Sequence, residues 1–582
     1  MNISIDRRLK FLVCAILFLL VAWTMPASGV EDRHVDDKKT ESKTAVPSSA
    51  GAPSEIARFI ERLSQQQQQL AEQQKQIEEL RRLLQEQAKP AAGVDGAATS
   101  RMPSSEPASS SSAAAVAAGS VALTTAAASA PQPKPAVSSG QAPESQESPL
   151  QFRISTAYIT PVGFMDLTSV WRSTAPGSSI GTNFGSIPFG NTTQGRLTEL
   201  RFSAQNSRIG SRIDAKVGGV NVLAYWESDF LGFVPSNAAV SSNSDTFRLR
   251  LYWVDVKKGK WEILGGQSWS MITPGRKGIS PLPGDLFYSQ DIDVNYQCGL
   301  TWSRDPQFRF VYHPSGAVAM GVSLESPEQY IGGSAGGGQI TLPSALATPY
   351  ASQLSNGGTT LTVPGLHPDI VAKIAFDPKL PGGRALHLEI GGTARTFRVW
   401  NPLVSRHFTT TGGGGQANLN IELLKGFRLL TNNYWSDGGG RWIFGQAPDL
   451  IVRSDGSLSA VHAGSTVSGF ELTKKNTLLY GYYGGAYIAR NVTIDAATGR
   501  FVGYGYPGSP NSQNRSIQEG TFGFIQTFWK DAKYGELSLM GQYSYVLRTP
   551  WVVSAAQPKN AKTNMIFFNL RYALAASAPT LK

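Results

Sequence analysis

The chain is short of three things that would each point to a different class of protein. Cysteine is nearly missing: among 582 residues only Cys14 and Cys298 occur. That rules out a disulfide-stapled scaffold and a cysteine metal cluster. Long apolar runs are equally scarce. The one that stands out, Phe11 to Trp23, follows the basic Arg7, Arg8 and Lys10 and precedes the small Ala27, Ser28 and Gly29. This order predicts a cleaved secretory signal peptide over 1–29, because the run falls short of the roughly 20 residues a spanning helix needs. Cys14 lies inside that run. No second apolar helix follows; Ile370–Phe376 is interrupted at Lys373 and stopped by Asp377. If the exported chain enters a membrane, it must do so as a closed β-barrel, the other architecture that satisfies every backbone group in lipid.

Catalytic constellations are the third scarcity. The six histidines (34, 313, 367, 387, 407 and 462) are never paired at metal-ligand spacing, and no Gly-x-Ser-x-Gly elbow occurs. Gly503, Gly505 and Gly508 match a nucleotide-binding pattern without the strand–helix unit it needs, and Tyr506-Pro507 marks a loop. Gly412–Gly415 reads as a turn or loop tip. His387 and Glu389 read as a lumen-facing polar pair on one strand. The expectation is therefore no enzyme, no metal and no cofactor.

What is present divides the chain into segments. The first 149 residues carry 15 Lys and Arg against 16 Asp and Glu, leaving 38 against 26 from Leu150 onward. Residues 30–54 are polar, mixed in charge and expected to be disordered. From 55 to 88, Ile56, Leu63, Leu70, Ile77 and Leu84 recur every seven residues, with Phe59 and Leu80 at offset positions and Gln66, Gln73 and Gln87 weakening the seam. This heptad predicts a self-associating coiled coil. Residues 89–149, rich in Ala, Ser and Pro, cannot bury a core and read as a flexible linker.

From 150 to 582 the texture is that of strands. Leu200, Phe202 and Ala204 alternate with Glu199, Arg201 and Ser203; Ile213, Ala215 and Val217 alternate with Arg212, Asp214 and Lys216. Phe247, Leu249, Leu251 and Trp253 alternate with Arg248, Arg250 and Tyr252, and Ile566, Phe568, Leu570 and Tyr572 with Phe567, Asn569 and Arg571. Period two gives one apolar and one polar face. Aromatics at segment ends (Trp253, Trp261, Trp302, Trp400, Trp442 and Trp529) suggest interfacial girdles. Long stretches such as Ile331–Gly358 contrast with tight joins such as Lys257–Lys260. The fold class expected is all-β: a transmembrane antiparallel barrel of 16 or 18 strands, inserted in outer-membrane lipid.

Two features would give such a barrel chemistry. If the apolar face meets lipid, Arg201, Arg212, Lys216, Arg248, Arg250 and Arg309 point into the lumen, where guanidinium groups attract carboxylates. Alternatively each pairs with a neighbouring Glu199, Asp214, Glu227 or Asp229 and only fills the barrel. The segment Gly275–Gln297, with Pro281, Pro283, Asp285, Asp291 and Asp293, reads as an inward constriction loop facing those arginines or as an ordinary external loop. The scattered basic excess argues against nucleic acid and for a field that attracts anions.

The runs RLRLYWV (Arg248–Val254), GGQSWS (Gly265–Ser270) and RFSAQNSR (Arg201–Arg208) resemble the DcaP-like family of trimeric outer-membrane porins. The resemblance implies a homotrimer of barrels passing small anionic solutes, dicarboxylates among them. It also implies Arg208, Arg248 and Arg250 as pore-wall bases and an N-terminal periplasmic coiled coil. Two departures stand out: a long Ala/Ser linker, and a tail beyond Tyr572 where barrels usually finish on an aromatic. The competing reading is a structural envelope protein whose coiled coil tethers the outer membrane to a periplasmic partner.

Overall fold

The computed structural model describes residues 150–575 apart from 236–239, 241, 287–289 and 358–362. The signal peptide, the heptad seam, the linker and the last residues of the tail lie outside the described residues. Sixteen antiparallel strands close into a barrel. They are β1 Ala157–Arg172, β2 (two pieces, Glu199–Ser203 and Arg208–Val217, both paired with β1), β3 Val220–Asp229, β4 Arg248–Lys258, β5 Trp261–Trp269, β6 Arg304–Ser315, β7 Val318–Glu325 and β8 Asp369–Phe376. The second half is β9 Leu386–Asn401, β10 Arg406–Leu424, β11 Phe427–Asp437, β12 His462–Lys474, β13 Thr477–Ile488, β14 Asn514–Asp531, β15 Gly535–Pro550 and β16 Ala561–Ala573. Closure is made by β1 against β16, in register from Phe164↔Ala573 to Arg172↔Met565.

The two ends of the barrel differ as the sequence predicts. At one end strands meet in tight turns, as at Gly218-Gly219, where both residues take positive φ (56° and 81°). Glycine holds that conformation without steric cost, and it matches the twist of the flanking strands. At the other end, the mouth, the connections are long, the exception being Pro402–Ser405 between β9 and β10.

Period two decides what faces lipid. On β16, Ile566, Phe568 and Leu570 are exposed, whereas Phe567, Asn569 and Arg571 are buried inside. The same outward rows on β6–β8 hold Phe308, Phe310, Met320, Val322, Ile370 and Ile374. An exposed apolar belt around a closed sheet is a surface for hydrocarbon.

Three details depart from the sequence reading. On β4 the phase slips: Glu227 pairs with Leu251 and Ser228 with Leu249, leaving Arg250 as a bulged extra residue. Arg250 and Leu251 therefore both turn inward, followed by Trp253, while Tyr252 and Val254 face out. Leu251 and Trp253 thus sit on the lumen side, opposite to the face their alternation suggests. Second, of the six tryptophans expected at the girdles, Trp261, Trp400 and Trp529 are exposed, but Trp302 and Trp442 are buried loop residues and Trp253 faces inward. Third, Gly412–Gly415 is not a loop tip; it lies within β10, paired with β9 throughout and with β11 from Gly413 on. Large inward neighbours need that room, since a Cβ on Gly412 would stand 2.9 Å from the Phe397 ring.

Candidate functional site

The lumen is built from three layers, and the first is the wall formed by β2–β6. The bulge on β4 drops Arg250 between two carboxylates of β3: its Nε donates to Glu227 at 2.7 Å and its Nη1 to Asp229 at 2.7 Å. Arg208 reaches Glu227 at 3.3 Å and Arg248 reaches Asp229 at 2.6 Å. The Tyr225 hydroxyl donates to the second oxygen of Glu227 at 3.2 Å. Three guanidinium groups thus share two carboxylates, with only Arg248 noticeably accessible (22 % of its side chain). Gln267 caps the Arg250 carbonyl freed by the bulge, at 2.8 Å.

The other predicted pore-wall bases are placed less centrally. Arg201 pairs with Glu199 at 3.2 Å and is half exposed. Arg212 holds Asp214 through two bonds of 2.7 Å. Lys216 is exposed beside the Gly218-Gly219 turn. Arg309 is buried and donates to the Trp269 carbonyl at 2.6 Å and to Gln307. Of the two readings, the ion pairing is what the side chains adopt: Arg201, Arg208, Arg212, Arg248 and Arg250 pair with the four carboxylates that the alternative reading names. A buried charge without its partner costs several kcal/mol, so pairing wins where the strands bring both signs together.

The second layer is the inward loop, residues 270–303. It leaves β5 and crosses the lumen, held by side chains that the sequence reading did not single out. The Met271 N–H donates to Glu325 at 2.9 Å and the Gly275 N–H to Glu389 at 3.0 Å, while Lys373 donates to the Thr273 carbonyl at 2.8 Å. Glu389 also takes Lys373 and the buried His387 at 3.2 Å each. On the opposite wall Arg276 pairs with Glu471 at 2.7 Å, and the Gln290 N–H donates to the Tyr482 hydroxyl at 3.0 Å. The N–H groups of Ile292 and Cys298 donate to Gln542 (2.7 Å) and Glu519 (2.8 Å).

Glycines let the loop backbone lie directly on β13. A Cβ on Gly484 would stand 1.9 Å from the Cys298 carbonyl oxygen. One on Gly299, at φ +88°, would stand 2.5 Å from the Gly485 carbonyl. The Gly-Gly doublet inside β13 was the one visible sequence signal for this approach.

The predicted loop aspartates do not form a row opposite the arginines. Asp285 accepts from the Ser280 hydroxyl at 2.8 Å, within the loop. Asp291 is buried on the side of Tyr480 and Glu519. Asp293 accepts N–H groups from Thr182 (3.1 Å) and Asn295 (2.7 Å), tying the loop to the β1–β2 connection. Burial raises the Asp293 carboxyl above its usual range, opposed by the nearby Arg172 and by these donors.

The third layer is at the mouth. Trp269, Tyr296, Trp302 and Phe444 touch ring to ring with centroid separations from 5.1 to 6.3 Å, Trp302 and Phe444 stacked and the other pairs tilted or edge-to-face. This aromatic column belongs to the same core as Tyr225, Leu251 and Trp253 beneath it. Beside it, Arg395 pairs with Asp369 (3.0 Å) and Asp449 (2.7 Å), and Arg441 with Asp305 (3.2 Å) and Asp369 (3.0 Å). Sequence reasoning missed this second network, because Arg441 and Asp449 come from one loop and the strands they meet lie far away in the chain. Among the described residues no cluster of His, Cys, Asp and Glu is placed to hold a metal ion.

No protein-family model matches the chain, and no curated protein matches its sequence. Solved structures do. The chain is similar to the outer membrane channel DcaP of Acinetobacter baumannii, with 17% identity over 73% of this chain and 99% of that one and a TM-score of 0.52. An anion-selective porin from Comamonas acidovorans aligns with 12% identity over 72% of this chain and all of that one, at a TM-score of 0.40. The resemblance read from Arg248–Ser270 is thus borne out as a shared barrel fold.

Proposed function

We propose that this barrel is an outer-membrane porin giving passive diffusion to small hydrophilic solutes, anions such as dicarboxylates before cations. The observation that carries the reading is the loop 270–303, which crosses the lumen of a lipid-facing barrel and is bonded to both walls. A structural anchor has no use for a cross-lumen loop; a diffusion channel uses one to narrow its path. The preference for anions is supported by the three-to-two balance of Arg208, Arg248 and Arg250 over Glu227 and Asp229, and by the basic excess after Leu150. The copies act as a homotrimer, with residues 55–88 self-associating in the periplasm. Planar-bilayer recordings under a salt gradient test this: expected are discrete conductance steps and a reversal potential of anion sign. Cation preference, or silence, would overturn it. Removing residues 31–149 separates the tether reading, since a pore still conducts without them.

A further inference from the structure

The arginines of the inner wall are matched by carboxylates, but three on the mouth rim are not. Arg453, Arg490 and Arg515 are exposed, and among the described residues none of them forms an ion pair. Arg453 belongs to the hairpin 450–460 in the β11–β12 connection, Arg490 follows β13, and Arg515 opens β14. Each is positioned without being neutralised. Arg453 donates to the Ser459 hydroxyl at 3.1 Å. Arg490 lies over the Trp551 ring at 4.6 Å, and Arg515 stands 5.9 Å from the same ring. A guanidinium held on an aromatic face keeps its whole charge for a further partner.

Arg453 and Arg490 line a recess of about 420 Å³. It opens on the outer side of the wall, since its residues Asp437 and His462 adjoin the inward-facing, buried Ser436 and Ala463. The hairpin 450–460 overhangs it. Asn491 fixes that overhang, its side-chain amide donating to the Ser459 hydroxyl at 3.1 Å and to the Ala460 carbonyl at 2.7 Å. Among the described residues the one carboxylate in the lining is Asp437, and it faces His462 at 3.2 Å. The other polar lining groups are hydroxyls and an amide, from Thr410, Thr411, Ser459 and Asn491. On the same outward face Trp435 and Tyr487 are exposed close to the strand ends. Exposed aromatics there mark the level at which hydrocarbon gives way to lipid headgroups.

We infer that this recess holds the phosphorylated sugar headgroup of an outer-leaflet glycolipid. Guanidinium groups offer forked donors that match phosphate oxygens in pairs, which a lysine ammonium does not. The hydroxyl and amide groups around them match sugar hydroxyls, and the recess is larger than a phosphate alone requires. Position selects the lipid over a permeating solute, because the opening lies outside the lumen at headgroup level. The inference rests on the barrel's place in the outer membrane, not on its conducting.

The test uses the full chain in mild detergent, stripped of lipid and titrated with lipid A, a glucosamine disaccharide lipid bearing phosphates, or with the same lipid after phosphatase treatment. Native mass spectrometry reads the bound fraction, and only the phosphorylated form is expected to be retained. Arg453→Gln with Arg490→Gln should weaken that retention by about a hundredfold, about tenfold for each charge-assisted bond lost. Both side chains are exposed, so the double variant is expected to unfold at the same denaturant concentration as the unaltered chain. Arg500→Gln, the same charge change on an exposed residue outside the recess, should leave retention as it was. Independently, a photoreactive benzophenone amino acid at Thr411 should crosslink to phosphorylated glycolipid in intact outer membranes. Four results would each overturn the assignment: equal retention of the two lipids, full displacement of lipid A by inorganic phosphate at equal concentration, the same loss in Arg500→Gln, or protein adducts in place of lipid ones from Thr411.

Discussion

The two inner walls use polar residues in opposite ways. On β2–β4, charges of both signs alternate along neighbouring strands, so Arg208, Arg248, Arg250, Glu227 and Asp229 satisfy one another within the wall. On β11–β15 the inward polar groups include amides, hydroxyls and carboxylates: Asn432, Glu471, Tyr482, Glu519 and Gln542. Arg428 of β11 faces Glu471 across the strand pair, but each of these groups also takes a partner from the loop that crosses the lumen, an ion pair from Arg276 or a backbone N–H. The first wall is self-neutralising; the second is a dock. A set of inward polar residues becomes structural or receptive according to whether its partners lie on adjacent strands alone or also on a loop.

The largest effect should come from breaking the self-neutralising wall. Asp229 accepts from both Arg248 and Arg250 and is fully buried. Asp229→Ala leaves two guanidinium groups short of a partner, and losing one member of a buried pair costs about 3–5 kcal/mol. Denaturant unfolding in micelles should show that loss, while Asp437→Ala at the outer rim should show almost none. In bilayers the surviving variant should also shift its reversal potential toward anions. Equal stability of the two variants would mean that the wall is not held by its ion pairs.

The dock is tested by preventing the loop from seating. Gly299 sits at φ +88° against the Gly485 and Thr466 carbonyls, 2.5 and 2.6 Å from where a Cβ would be. Gly299→Val is therefore strained in both conformation and space. The strands keep their ladders, so the barrel should persist while single-channel conductance rises several-fold. An unchanged conductance would remove the loop from the permeation path. Arg276→Ala probes the same contact more gently. It deletes one ion pair between loop and far wall, and should appear as added open-channel noise with a small rise in mean conductance.

How much of this was legible beforehand follows from the range of each interaction. Alternation is local, so the barrel, its lipid-facing rows on β16 and its tight turns could be read directly. The ion pairs of β2–β4 lie on adjacent hairpins and were within reach, since Glu227 and Asp229 were visible beside Arg248. The bulge at Arg250 was not: one extra residue reverses the facing of everything after it, and nothing in RLRLYWV marks where it falls. The dock was out of reach for a different reason. Cys298 meets Glu519 across 221 residues, and Arg276 meets Glu471 across 195. Such pairings are decided by barrel closure, which no local pattern encodes.

The smallest expected effect reads the dock without altering it. Cys298 is buried at the point where the loop lies on β13 and β14, and burial, reinforced by the nearby Glu519 carboxylate, pushes its thiol well above the usual range. An acid group with a raised pKa holds less of its ionised form at any given pH, and the thiolate is the species that reacts. At pH 8 an ordinary exposed cysteine, with a pKa near about 8.5, is a fair fraction thiolate. Cys298 should be far below that and also sterically shielded. Maleimide labelling of the native barrel should therefore be slow, should keep accelerating as pH rises past 9, and should become fast after heating in detergent. In Gly299→Val the seat is lost, so labelling should approach the unfolded rate at pH 8 with the strands still folded. If native Cys298 reacts at pH 8 as readily as in the unfolded chain, the loop does not rest on the far wall, and the contrast between the two walls fails with it.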